Sequence, residues 1–160
     1  PNSCAFLAEM TAYFKTKGKT VYEVLLDIYK EFGCYQEKLI SLTKKGKAGA
    51  EEIQAMMNGL RHNLPTILGG IKVKEIRDYQ LSQTTDMSTG ERRAISLPKS
   101  DVLQFITVDG DVISARPSGT EPKIKFYCSV KENLTDTADY VDVQTVLEEK
   151  VDRMMKDIVG

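Results

Sequence analysis

The chain has little of what would place it in a specialised class. Its three cysteines, Cys4, Cys34 and Cys128, are odd in number and lack the close spacing of a metal site. They are best read as reduced thiols in a cytoplasmic protein, buried as small apolar residues, rather than as a disulfide framework. No apolar run approaches the roughly 20 residues that span a bilayer, and neither a signal peptide nor an Arg-rich transit-like leader is read at the start. Charge of one sign is also missing. The 22 basic and 23 acidic side chains leave a net −1, so no global field argues for a nucleic-acid or membrane partner. The one histidine, His62, falls at a predicted helix end and reads as structural or solvated rather than as a ligand or base. Internal repeats and low-complexity segments are absent. What remains is an ordinary globular composition, 41% hydrophobic and 28% charged, in a length that suits one domain, or one domain plus a fragment of another. The chain opens on Pro1 rather than Met, and is expected to be a piece of a longer polypeptide.

Asn2 or Ser3 is expected to cap a first helix with Phe6, Leu7, Met10, Tyr13 and Phe14 as apolar positions, ending near Gly18. Thr20 to Glu23, "TVYE", is a capping box. Val21, Val24, Leu25, Ile28 and Phe32 then form a helical stripe that stops at Gly33. Such a hairpin buries too little to stand alone. A strand follows over 35–43, a basic turn at Lys44, Lys45 and Lys47, and a helix over 49–62 with Ile53, Met56, Met57 and Leu60 inward. A strand starts near Gly70 with a bulge at Ile76, and 79–96 reads as a long polar loop. Two strands, 102–108 and 112–115, meet at Asp109-Gly110. A clear alternating strand places Ile124, Phe126, Cys128 and Val130 on one face and Lys123, Lys125, Tyr127 and Ser129 on the other. A final helix points Val143, Val146, Leu147, Val151, Met154 and Ile158 inward. From Tyr35 onward the order is β-α-β-β-β-β-α, an α+β domain with an antiparallel sheet covered by two helices. Met56-Met57 and Met154-Met155 read as core filling, the three lysines as a solvated turn, Arg92-Arg93 as a mobile surface pair, and Glu148 and Glu149 as a solvated helix face.

Between two of these strands lies "RPSGTEP". An arginine supplies a forked cation, Ser118 and Thr120 supply hydroxyls, and Gly119 lets the backbone come close to a ligand. Pro117 and Pro122 stiffen the loop and lower its ordering cost. Lys123 and Lys125 follow on one face of the next strand. Residues 116–131 carry four bases against Glu121, a net of +3, while 132–160 carry eight acids against three bases. The pattern permits an anion clamp, and it equally permits a plain turn with a solvated arginine. It is not a Walker loop, because the Gly-Lys-Ser/Thr ending is absent.

The string "RPSGTEPKIKFY" closely resembles the phosphate-binding loop in the C-terminal domain of the α-D-phosphohexomutases, the superfamily of phosphoglucomutases, phosphomannomutases and phosphoglucosamine mutases. "LAEMTAYFKTKGKTVYEVLLDIYKEFGCY" resembles the helical end of that family's third domain, and "LPKSDVLQFITVDGDVISARPSGTEPKIKFY" its fourth. The resemblance implies domain bounds of 1–34 and 35–160, and a phosphate held by Arg116, Ser118, Gly119 and Thr120, the phosphate that is not being transferred. Lys125 falls where many members have an assisting arginine. In full length it implies conversion of hexose 1-phosphate to hexose 6-phosphate through a phosphoserine, with Mg2+ and a hexose 1,6-bisphosphate intermediate. It also implies a phosphosugar as partner, together with the preceding domains of the same polypeptide. The family's serine, metal and sugar loops are not read in this sequence, so the chain alone is expected to be inactive. A non-catalytic module that binds anions or an acidic partner is the alternative.

Overall fold

The computed structural model describes residues 2–160. Pro1, on which the expectation of a truncated start rests, lies outside the described residues. The chain divides into two compact units. The first holds residues 2–35 and 132–146, and the second residues 36–131 and 147–160.

In the first unit, α1 (Asn2–Thr16) and α2 (Val21–Phe32) are joined through Gly18. Asn2 and Ser3 both lie inside α1, so neither is its cap. The capping box forms as its residues require: the Glu23 amide donates to Thr20 Oγ1 at 3.2 Å and the Thr20 amide to Glu23 Oε2 at 2.7 Å. Gly33, at φ 92, ends α2 with its N–H on the Tyr29 carbonyl. The expected apolar stripes stay largely uncovered, with Phe6, Leu7, Ile28 and Phe32 exposed and only Leu26 buried. Tyr140, just after a 3-10 turn (Thr137–Asp139), stacks on Tyr29 at 5.6 Å and meets Tyr22 edge-on.

The second unit is built on a sheet of eight strands: β1 (Cys34–Thr43), β2 (Ile67–Leu68), β3 (Ile71–Asp78), β4 (Gln83–Asp86), β5 (Arg92–Ala94), β6 (Leu103–Thr107), β7 (Val112–Pro117) and β8 (Lys123–Glu132). Their spatial order is β1-β8-β7-β6-β3-β4-β5, with β2 paired to β3. The pairs β2–β3, β3–β4, β3–β6, β4–β5, β6–β7 and β7–β8 are antiparallel. α3 (Gly46–His62) and the stretch of α4 (Tyr140–Val159) from Leu147 onward cover its inner face. The core is Ile53 and Met57 from α3, Leu103, Phe105 and Ile113 from β6 and β7, Ile124, Phe126 and Val130 from β8, and Leu147, Val151 and Met154 from α4. The alternating burial of β8 follows from its period of two, with Ile124, Phe126, Cys128 and Val130 turned to the core. The α+β class and antiparallel sheet stand as expected; Val146 is instead exposed.

Three strands went unread in the sequence. The long polar loop contains a hairpin, β4 with β5, paired at Gln83↔Ala94, Thr84↔Arg93 and Thr85↔Arg92. Strands of four and three residues are too short to show a period, and at a sheet edge backbone pairing defines them rather than burial. Arg93 is therefore held, with its guanidinium 3.2 Å from Glu75. The bulge falls between Val73 and Glu75, earlier than Ile76. β2 meets β3 through Gly69 and Gly70, both at positive φ (58 and 83), as a two-residue hairpin turn demands. A Cβ on Gly69 would also lie 2.5 Å from Met154 Cγ.

The Asp109-Gly110 connection is pinned from beneath. Asp111 is wholly buried and lies 2.9 Å from Lys150 Nζ, itself 5% exposed. The same carboxylate accepts from Thr107 Oγ1 and from the Lys131 amide, while Lys150 also donates to the Lys131 carbonyl. Cys34 and Cys128 are buried free thiols, and burial pushes Cys128 up to about 12. Cys4 is exposed, against expectation, because α1 presents it outward.

Candidate functional site

The connection between β7 and β8 forms an open concavity of about 270 Å³ at the end of the hairpin. Antiparallel pairing decides which side chains meet there. Ala115 pairs with Phe126 and both point into the core, so the next pair, Arg116 with Lys125, must point to the open face. Two cations directly opposite each other on one sheet face repel, where a neutral pair would not. Lys123, two residues before Lys125, adds a third cation to the same wall, and Glu121 is the one carboxylate beside them. Arg116 is exposed and the lysines half-buried, so the charge is open to solvent and to a ligand.

The loop itself is closed by the Ser118 amide on the Lys123 carbonyl at 2.7 Å, and by the Lys44 amide on the Pro122 carbonyl at 2.8 Å. The basic turn after β1 thus braces the loop rather than standing apart from it. Within the loop the Thr120 and Glu121 amides both point at Ser118 Oγ, at 3.4 and 3.3 Å. These are long bonds to a neutral acceptor. They gather two backbone N–H groups and one hydroxyl at the rim of a cationic concavity, which is the donor set for a tetrahedral anion.

The residues read from the sequence do not all converge. Arg116, Ser118, Gly119 and Lys125 line the concavity, whereas Thr120 stands outside its walls. Gly119 was expected to let the backbone come close to a ligand. Its φ is not in the left-handed region, and an added Cβ would meet no atom within 4 Å, so neither the turn nor the chain's own packing requires glycine there. The space beside it is open, which suits close approach of a ligand to the backbone. Tyr127, on the same face as Lys123 and Lys125, also lines the concavity. Its period of two marked that face, but nothing in the sequence marked it as a wall.

Among the described residues no group of three or more His, Cys, Asp or Glu is placed to hold a metal ion. Nor is any helix long and apolar enough to cross a membrane.

Comparison with known proteins points the same way as the loop. A protein-family model described as "Phosphoglucomutase/phosphomannomutase, C-terminal domain" matches residues 44–142, more than half of the chain and all of the loop. The phosphoglucomutase of Staphylococcus haemolyticus is 37% identical over 124 residues, 78% of this chain and 22% of that protein. That of Staphylococcus aureus is 39% identical over 129 residues, 80% of this chain and 23% of its own length. The chain thus spans about a fifth of the curated relatives it matches. A solved structure from Paramecium, parafusin described as a phosphoglucomutase in its open form, is 19% identical with a TM-score of 0.47, covering 89% of this chain and 25% of that one.

Proposed function

The chain belongs to the phosphoglucomutase/phosphomannomutase C-terminal domain family, and on that premise we propose that it is the phosphate-gripping part of a hexose-phosphate mutase. In the full-length enzyme it clamps the phosphate that is not being transferred while hexose 1-phosphate and hexose 6-phosphate interconvert through an enzyme phosphoserine and a bisphosphate. The phosphoserine, Mg2+ and most of the sugar contacts belong to residues beyond these 160. On this reading 1–34 is the helical end of the third domain and 35–160 is the fourth.

The observation that carries the proposal is the Arg116–Lys125 pair, two cations opposed across a hairpin with amide N–H groups gathered beside them. Repulsion between them is relieved when an anion sits between, so binding energy is stored in the unliganded loop. Arg116 supplies a fork to two phosphate oxygens, Lys125 a point charge, and Ser118 a hydroxyl whose own proton is available to donate. Because the clamp recognises a tetrahedral anion rather than a sugar face, it grips either phosphate after the sugar has turned over.

The test is a mutase assay of the full-length protein on glucose 1-phosphate, mannose 1-phosphate and ribose 1-phosphate. Arg116→Ala is expected to lower kcat/KM by about 2–4 kcal/mol of transition-state binding, the range for truncating a charged hydrogen-bonding partner. Unchanged kcat/KM would remove the proposal. An upstream reading frame without a serine-phosphate loop and an Asp-rich metal loop would leave only a non-catalytic anion-binding module.

A further inference from the structure

The open face of the sheet does not end at the phosphate concavity. A second concavity, about 320 Å³, lies alongside it over β1, β7 and β8. Its floor is apolar, from Leu39, Val112 and the ring of Tyr127, and two hydroxyls, Ser114 and Ser129, stand within it. Tyr127 is the one residue that lines both spaces. Register explains the arrangement. On the open face Arg116 opposes Lys125, Ser114 opposes Tyr127 two residues along, and Val112 opposes Ser129 two residues further. The three cross-strand pairs make a ladder that runs from the cations to an aromatic ring and then to a hydroxyl over an aliphatic floor.

Tyr127 is an aromatic residue 39% exposed on the open face of the sheet. It is held there without help from the core, since its neighbours Phe126 and Cys128 face the other way. Ser114 Oγ already accepts from Gln104 Nε2 at 3.0 Å, which fixes its position and leaves its own O–H to donate. Glu37, Lys38 and Cys128 complete the lining, and the Lys38 ammonium is tied to Asp152 of α4, on the other face of the sheet. An aromatic face flanked by two hydroxyls and the Glu37 carboxylate, one step from a cationic concavity, matches a molecule with an apolar C–H face, a hydroxylated edge and a phosphate at one end.

We propose that the Tyr127–Ser114–Ser129 concavity is the subsite for the glycosyl ring of the phosphosugar whose phosphate sits at Arg116 and Lys125, with Tyr127 as a positioning residue that stacks on the ring. This rests on the phosphate-binding reading above. The domain then contributes to holding the sugar as well as its charge, and biases which ring faces the aromatic.

The experiment titrates the 160-residue chain with inorganic phosphate, with glucose 6-phosphate and with glucose, following backbone amides by NMR. Glucose 6-phosphate is expected to bind about fivefold more tightly than inorganic phosphate, an increment of the size of one aromatic contact. It is also expected to shift the Val112, Ser114 and Ser129 amides, which phosphate alone leaves in place. In Tyr127→Leu the ratio of the two affinities, each measured in that variant, falls to about one. In Tyr127→Phe it is retained, because the ring and not the hydroxyl makes the contact. A ratio unaltered by Tyr127→Leu, or sugar phosphate that shifts only the loop, overturns the subsite while leaving the clamp intact. Absence of phosphate binding itself overturns both.

Discussion

Two turns in this chain share one geometry and differ in one atom group. After β4, the Asp86 side chain accepts from the amides of Ser88 and Thr89 at 2.8 and 3.0 Å. In the loop after β7, the Ser118 side chain accepts from the amides of Thr120 and Glu121 at 3.4 and 3.3 Å. In both, the amides two and three residues on converge upon a side-chain oxygen. Asp86 brings a negative charge and satisfies them within the chain. Ser118 brings a neutral hydroxyl, holds them loosely, and sits among Arg116, Lys123 and Lys125 with Glu121 as the one nearby acid. The first turn is a finished structural device; the second leaves its cations and amides without a carboxylate of its own at the centre, the feature on which the proposed anion site rests. The same contrast runs along β7. Just before the strand, Asp111 is buried against Lys150, and near its end Arg116 is set opposite Lys125.

The buried corner gives the largest effect. Lys150→Ala strands the Asp111 carboxylate in a site with no exposure, and should cost about 3–5 kcal/mol, read as a drop in the urea midpoint. Replacing both partners, as Asp111→Asn with Lys150→Met, should be less damaging than the single change, since no buried carboxylate at position 111 is left without its cation. A Lys150→Ala variant of normal stability would erase the structural side of the comparison. Next is the exchange of one turn's chemistry for the other's. Ser118→Asp gives the loop its own acceptor, as Asp86 gives the hairpin. Affinity for inorganic phosphate should fall more than about tenfold, equal to about 1.4 kcal/mol. Phosphate binding that survives this change would mean the amides and Ser118 do not face the ligand.

A smaller effect separates function from stability at the cation pair. Lys125→Glu converts a repulsive cross-strand pair into an attractive one. The fold should gain about 0.2–1 kcal/mol, measured by thermal unfolding, while phosphate binding is lost. A loss of stability would show that the two side chains are already relieved by some other partner.

How much of this was legible in the sequence differs between the two halves of the contrast. Arg116, Ser118, Gly119 and Lys125 sit within ten residues of one another, and the period of β8 assigns its lysines to one face, so their placement around one concavity was legible, while the residues alone permitted a clamp without compelling one. Thr120 could not be placed, because side-chain direction inside a short loop depends on hydrogen bonds such as Ser118 to Lys123 that no pattern displays. The structural half was hidden for the opposite reason. Asp111 and Lys150 lie 39 positions apart and each resembles a surface residue; only the packing of α4 under the β6–β7 turn makes them partners. The β4–β5 hairpin escaped notice because its side chains are mostly polar and its strands short. Arg93 of the hairpin pairs with Glu75 of β3, which also holds Arg77, on the open face, where burial leaves no mark in the sequence.

The finest test lies at Asp86 itself. Its carboxyl is held well below the ordinary 3.8, at about 2, first by the Ser88 hydroxyl and then by the Thr89 and Ser88 amides. The folded value is depressed, so the stabilisation linked to it is whole above the unfolded pKa near 3.8 and is lost as pH falls through about 2. A titration of the Asp86 carboxyl carbon by NMR should have its midpoint near 2, and Ser88→Ala should raise it, since the largest cause is removed. The effect on global stability should be slight, because the group is solvated and screened. A midpoint at the ordinary value, indifferent to Ser88, would mean that the amides grip the acid no harder than they grip the Ser118 hydroxyl. The distinction between a turn that completes itself and a turn that waits for an anion would then rest on Arg116 and Lys125 alone.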